Sequence, residues 1–229
     1  MGSSSSKEVD HGNYVPTPVP AHSGPAPRVI IIDCDWPQEE YSFVVGGGER
    51  LEVTFVVLPG VSARIPVTVD LVGPGADADL KGIYISDGTD EVTFDITMHH
   101  RVPGCTSHQL FNGLASGRSK CAFFGKIIVA PDAQKTEAYQ ENHNIVLSDE
   151  AKVNSKPRLE IYADDVKCSH GATVGKLNED EQFYMRSRGI PEDEAKVLQM
   201  ISFVAPVLEG LEDEALAASI EDAVRSLAG

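Results

Sequence analysis

The stretch Asp90-Glu91-Val92-Thr93-Phe94-Asp95-Ile96-Thr97-Met98-His99-His100 alternates side chains strictly. Val92, Phe94 and Ile96 fall on one face and Thr93, Asp95 and Thr97 on the other, the period of a strand with one side buried. Leu51, Val53, Phe55 and Val57 repeat the pattern upstream. Outward from these lie further short β-rich pieces: VIIID from Val29, YSFVV from Tyr41, ARIPVTVDLVG from Ala63, GIYISDG from Gly82, CAFFGKIIVAP from Cys121, HNIVLS from His143 and RLEIYADD from Arg158. Turn signals punctuate them, among them Gly46-Gly47-Gly48, Gly73-Pro74-Gly75, Asp87-Gly88 and Ala130-Pro131-Asp132. Many short strands at near-regular spacing fit a sandwich, a barrel or a stacked solenoid, and periodicity alone does not choose among them. No exact internal repeat is present, so a solenoid would have to be irregular.

Three stretches divide the chain. Residues 1–28 are rich in Ser, Gly and Pro without apolar period and read as an extended or disordered leader, of which MGSSSS resembles an expression leader. Residues 29–177 form the β-rich core. From residue 178 to 229 the pattern turns helical: Asn178 with Glu179, Asp180 and Glu181 caps a first helix ended by Gly189, and Pro191-Glu192-Asp193-Glu194 opens a second. Val197, Ile201, Val204 and Leu208 form its apolar stripe, and Pro206 is expected to kink or end it. A third helix begins near Leu211 and stripes Leu216, Ile220, Val224 and Leu227. These stripes fit either the chain's own β-core or a partner's groove.

Composition excludes several functions. A net charge of -16 repels phosphates, so nucleic acid and anionic membrane surfaces are not expected partners. Cys34, Cys105, Cys121 and Cys168 contain no CxxC pair, which argues against a disulfide framework or zinc ribbon and for a reducing, cytoplasmic setting. No apolar run approaches the roughly 18 residues of a membrane span. Phosphate-binding loops, a nucleophile elbow and HExxH are all missing, so no enzyme is expected. Ser107, His108 and Asp95 assemble into a triad only on paper.

The most specific short constellation is Cys168-Ser169-His170. In a strand, residues two apart share a face, and thiolate with imidazole suits iron, zinc or copper. A buried Cys beside a packed His is the plainer reading. His99, His100 and His143 are thinner candidates for a stand-alone metal- or ligand-binding β-protein, the alternative function. His99 and His100, as neighbours on a strand, face opposite ways.

The strings ENHNIVLSDEA at 141–151, KPRLEIYADDVKCSHGATVGKL at 156–177 and FYMRSRGI at 183–190 closely resemble the SufB/SufD family of the SUF iron–sulfur cluster assembly system. The similarity runs roughly from Thr97 to Leu208, and CSHGAT resembles the SufD branch of the family. The resemblance implies a mainly β fold, a right-handed parallel β-helix with a C-terminal helical segment. It implies pairing with SufB through the β-helices and docking of the ATPase SufC on the C-terminal helices. A transient iron–sulfur cluster or iron is handled at the SufB–SufD interface, with Cys168 and His170 at the matching positions and nothing tightly bound in the isolated chain. The isolated chain is also open to homodimer formation through the same surface. Family members usually carry a helical region before the β-helix, so the chain is expected to be trimmed there or to belong to a lineage without it.

Overall fold

The computed structural model describes residues 28–32, 40–210 and 213–228; the leader, Cys34 and the expected start of the third helix at Leu211 lie outside them. Among the described residues, strands alternate between two sheets. One holds β1 (Arg28–Ile32), β3 (Arg50–Val57), β5 (Asp77–Ser86), β7 (Thr106–Ala115), β9 (Glu137–Val146) and β11 (Lys167–Gly175) in that order. The other runs β2 (Tyr41–Val45), β4 (Ala63–Leu71), β6 (Glu91–His100), β8 (Lys120–Val129) and β10 (Lys152–Ile161). Every pairing is parallel. Each strand skips its sequence neighbour and pairs with the next but one. Consecutive strands joined by tight turns cannot pair in parallel, so the chain coils into a parallel β-helix of about five turns.

The turns are regular in space although their residues do not repeat. Adjacent turns join residues about 25 to 33 apart, the spacing rising along the coil from Arg28 with Val53 to the hydrogen bond from Lys152 N to Ser119 O. Glu91 N donates to Ser62 Oγ and Cys105 Sγ to Gly73 O between such turns. Inside the coil, inward positions stack into one core containing Phe43, Phe55, Ile65, Phe94, Phe111 and Phe123. Edge-to-face and tilted ring contacts link them, with centroids 5.9 Å apart for Phe55 and Phe94 and 5.1 Å for Phe94 and Phe111.

Helices α1 (Glu179–Ser187), α2 (Glu192–Leu208) and α3 (Glu214–Ser226) follow. A second core forms where α2 and α3 cover the outer face of the odd-numbered sheet. Val56, Ile83, Ile85 and Leu114 from the sheet meet Val197, Met200, Val204 and Val207 of α2 and Leu216, Ile220 and Val224 of α3. The stripes of α2 and α3 are therefore spent on the chain's own β-core.

Pro206 does not itself end α2, which runs two residues past it to Leu208. A proline leaves the carbonyl four residues back, here that of Ser202, without its donor and crowds the preceding turn. Asn112, buried on the sheet beneath, donates from Nδ2 to the neighbouring carbonyl of Phe203 at 2.7 Å. The sheet thus supplies a hydrogen bond where the helix is weakest. Strand β7 was not legible in the sequence: its inward positions include Ser107 and Gln109, so the alternation carries no apolar signal there.

Candidate functional site at the last turn of the coil

One inward column shows how the site arises. Val53, Leu80, Gln109, Gln140 and His170 are successive register partners through β3, β5, β7, β9 and β11. The first four are buried and His170 is exposed, because β11 is the last strand of its sheet. Cys168 sits likewise above Ala138, half-buried. Both side chains therefore occupy inward positions of a turn with no further turn stacked on it, and the common face expected for them holds.

The interior below them is polar. Gln140 Nε2 donates to Gln109 Oε1 at 2.8 Å. Asn142 Nδ2 donates to the Tyr84 hydroxyl at 3.0 Å and to the Phe111 carbonyl at 3.1 Å, and the Tyr84 hydroxyl donates to Asn144 Oδ1. Asn144 Nδ2 in turn reaches Asn142 Oδ1 at 2.9 Å and the Thr173 carbonyl of β11 at 3.4 Å. Gly113 makes this crossing possible, since a methyl group there would collide with the Tyr84 ring and the Asn144 amide. From the outer face, His143 Nδ1 lies 2.9 Å from Thr173 Oγ1. Strand β11 is thus tied at Thr173 from both faces.

Burial pushes the Cys168 thiol up, opposed by a backbone hydrogen bond at Ala138, so the group is a protonated thiol at neutral pH and metal binding would require loss of that proton. No hydrogen bond from another described residue engages the His170 ring. Among the described residues no three His, Cys, Asp or Glu side chains gather into a metal-holding group. Cys168 and His170 are at most half of a metal site, and the remaining ligands would have to come from beyond the described residues.

The other candidates do not converge. His99 faces outward from β6, and His143 faces outward from the opposite sheet. His100 is buried inside the coil, 2.8 Å from Ser107 Oγ, with burial pushing its pKa down to about 4. A shared metal on these three is excluded by geometry. The paper triad also dissolves: Ser107 contacts His100, His108 stacks on Tyr139 with ring centroids 5.0 Å apart, and Asp95 pairs with Arg64 at 2.6 Å on the other sheet.

A second feature was missed in the sequence. Helix α1 buries none of its residues, and Phe183 and Tyr184 stand 73% and 58% exposed beside the exposed Leu198 of α2. Asp180, Glu181, Tyr184, Leu198 and Gln199 border an open groove of about 450 Å³ there. Asn178 caps α1 through Oδ1, accepting from Asp180 N at 3.0 Å, and Gln199 Nε2 donates to Glu181 Oε2 at 2.8 Å, so the aromatic pair is held on an anchored helix. The adjacent aromatics Phe183-Tyr184 were the available signal.

With this geometry in view, residues 39–203 match the family described as "SUF system FeS cluster assembly, SufBD core domain". The chain is 44% identical over 119 residues to the iron-sulfur cluster assembly protein SufD of Escherichia coli K12, covering 52% of this chain and 28% of that protein. It is 31% identical over 144 residues to SufD of Bacillus subtilis, covering 63% and 33%. It is 35% identical over 161 residues to the chloroplastic protein ABCI7 of Arabidopsis thaliana, covering 69% and 34%. The matched segments thus span about a third or less of these relatives' own lengths.

Proposed function

The chain belongs to the SufBD core-domain family of the SUF iron–sulfur cluster assembly system, with its likeness on the SufD side, and we propose that it is a scaffold subunit and not an enzyme. The observation that carries this reading is the placement of half-buried Cys168 and exposed His170 on the uncovered last turn, above a polar interior. Two ligand-type side chains with no further ligands among the described residues fit a partner that brings the rest. That partner is SufB, whose β-helix meets the open end. Iron or the nascent cluster is the cargo handled between the two chains, with His170 as the available imidazole. In isolation a second copy takes SufB's place.

SufC docks on the C-terminal helices. The buried stripes of α2 and α3 are already engaged, so the reading rests on the exposed Phe183, Tyr184 and Leu198. The free thiols Cys105, Cys121 and Cys168 suit a reducing compartment such as the bacterial cytoplasm, and among the described residues no helix is long and apolar enough to cross a membrane.

Co-expression with SufB and SufC, followed by sizing and by iron and sulfide assay, tests the reading. The unaltered chain should co-purify with both partners. Phe183→Ala/Tyr184→Ala should lose SufC and keep SufB, and His170→Ala should keep both partners and lose cluster loading. Point substitutions are preferable to removal of α2 and α3, which would uncover Val56, Ile83 and Leu114. Failure to associate with either partner, or full cluster loading by His170→Ala, overturns the scaffold or the site respectively.

A further inference from the structure

The outer faces of β8 and β10 carry charge of the opposite sign to the chain as a whole. Inward positions of β8 are buried at Cys121, Phe123, Gly125, Ile127 and Val129, so Lys120, Phe124 and Lys126 project outward. On β10, Val153 and Leu159 pack against the core, so Lys152, Lys156 and Arg158 project outward beside them. Five of the chain's 19 lysines and arginines therefore share two adjacent strand faces, in a protein of net charge -16. The one carboxylate on those two faces is Glu160, which pairs with Lys126 at 3.1 Å. Lys120 is neutralised from the neighbouring strand by Glu91. Lys152, Lys156 and Arg158 have no carboxylate partner among the described residues.

Such segregation is unfavourable within the free chain, because like charges on neighbouring positions of a sheet repel. Lys156 is held over the Phe124 ring, 5.9 Å from its centroid, and with Lys126 and Arg158 it borders a groove of about 270 Å³, whose one carboxylate, Asp95, is paired with Arg64 at 2.6 Å. We propose that this face docks an extended acidic segment of a partner protein. Extent argues against a small anion: from Lys152 to Arg158 the unpaired charges run about 20 Å at 3.3 Å per residue, more than one phosphate or carboxylate can span. Charge argues against nucleic acid, whose closely spaced phosphates would continue past the patch onto Glu91 and Asp70 and meet the repulsion of a strongly acidic molecule. An acidic segment that ends where the patch ends avoids both problems. Rim charges of this kind act chiefly by steering and orienting the partner.

The surface requires neither SufB nor SufC, so its test is separate from that of the scaffold reading. A fluorescein-labelled short polyglutamate peptide, titrated with the full chain at low ionic strength, should bind saturably in fluorescence anisotropy and be released by added salt. Lys156→Glu/Arg158→Glu should weaken binding about tenfold or more, and the neutral pair Lys156→Gln/Arg158→Gln should fall between, whereas Arg50→Glu on the other sheet should leave it unchanged. Because these side chains are exposed, the urea midpoint of each variant should match the parent's. No saturable binding, equal loss with Arg50→Glu, or tighter binding of inorganic tripolyphosphate or an oligothymidylate would each overturn the proposal.

Discussion

The two halves of the coil's interior differ in kind. Toward the first turns the inward columns are filled by Phe43, Phe55, Ile65, Val67 and Phe94, all buried, with an edge-to-face contact between Phe55 and Phe94. Toward the last turns the inward columns of the odd-numbered sheet pass to Gln109, Gln140, Asn142 and Asn144, and those that begin at Leu51 and Val53 end at Cys168 and His170, while the even-numbered sheet keeps Phe123, Ile127 and Val129 inward. An apolar column left open at its end would expose a hydrophobic patch, whereas a hydrogen-bonded amide column can end in water or in a partner at little cost. The apolar half supplies stability, and the polar half holds the exposed last strand, β11.

The sharpest way to break this contrast is to empty one position in each half. Phe94→Ala removes a ring packed against Phe55, Tyr84 and Phe111, and should cost about 3–5 kcal/mol in urea denaturation. His170→Ala, exposed at the open end, should leave the midpoint where it was. Equal losses at the two positions would show that the last turn is as much a part of the packed core as the first.

A smaller effect should come from pH. His100 is buried with its folded pKa near 4 against a usual 6.5, and burial is the cause. Above pH 6.5 both states carry a neutral ring and nothing is lost. Between 6.5 and 4 the unfolded chain takes up a proton that the folded chain refuses, so stability should fall with acidification by about 3 kcal/mol from this group. Urea midpoints measured across that window should decline more gently for His100→Leu than for the parent. Parallel curves would remove His100 as the cause.

The smallest of the three tests is Tyr84→Phe. It keeps the ring in the core and deletes the hydroxyl that donates to Asn144 and accepts from Asn142. Leaving those amides short of partners should cost about 1–3 kcal/mol. Because Asn144 also binds the Thr173 carbonyl, amide hydrogen exchange in β11 should quicken ahead of exchange in β3. Uniform quickening would mean that the network does not hold β11 in particular.

The apolar half is also the half that could be read from sequence. Strand β6 alternates visibly because each inward residue is hydrophobic, whereas β7 and the first part of β9 place Ser, Gln and Asn inward and break the alternation. The cap of α1 was legible too, since Asn178 accepts hydrogen bonds from its first turn, whereas the cap of α3, Asp213, was not singled out. The exposed aromatic pair of α1 was not singled out, because its exposure depends on how α1 leans on α2. Cys168 and His170 were legible as a pair through their spacing of two. That they stand at an open end was not, since this follows from β11 having no neighbour beyond it.

By itself the sequence determined what depends on neighbours along the chain: strand period, turn positions, helix caps and the shared face of Cys168 and His170. Those properties arise from backbone geometry over a few residues. Tertiary structure alone decided which residues about 25 to 33 apart become partners, which columns turn polar, and that Asn112 would bond the Phe203 carbonyl of α2. Contacts between turns are set by stacking in space, and because no residue pattern repeats from turn to turn, the chain carries no local record of them.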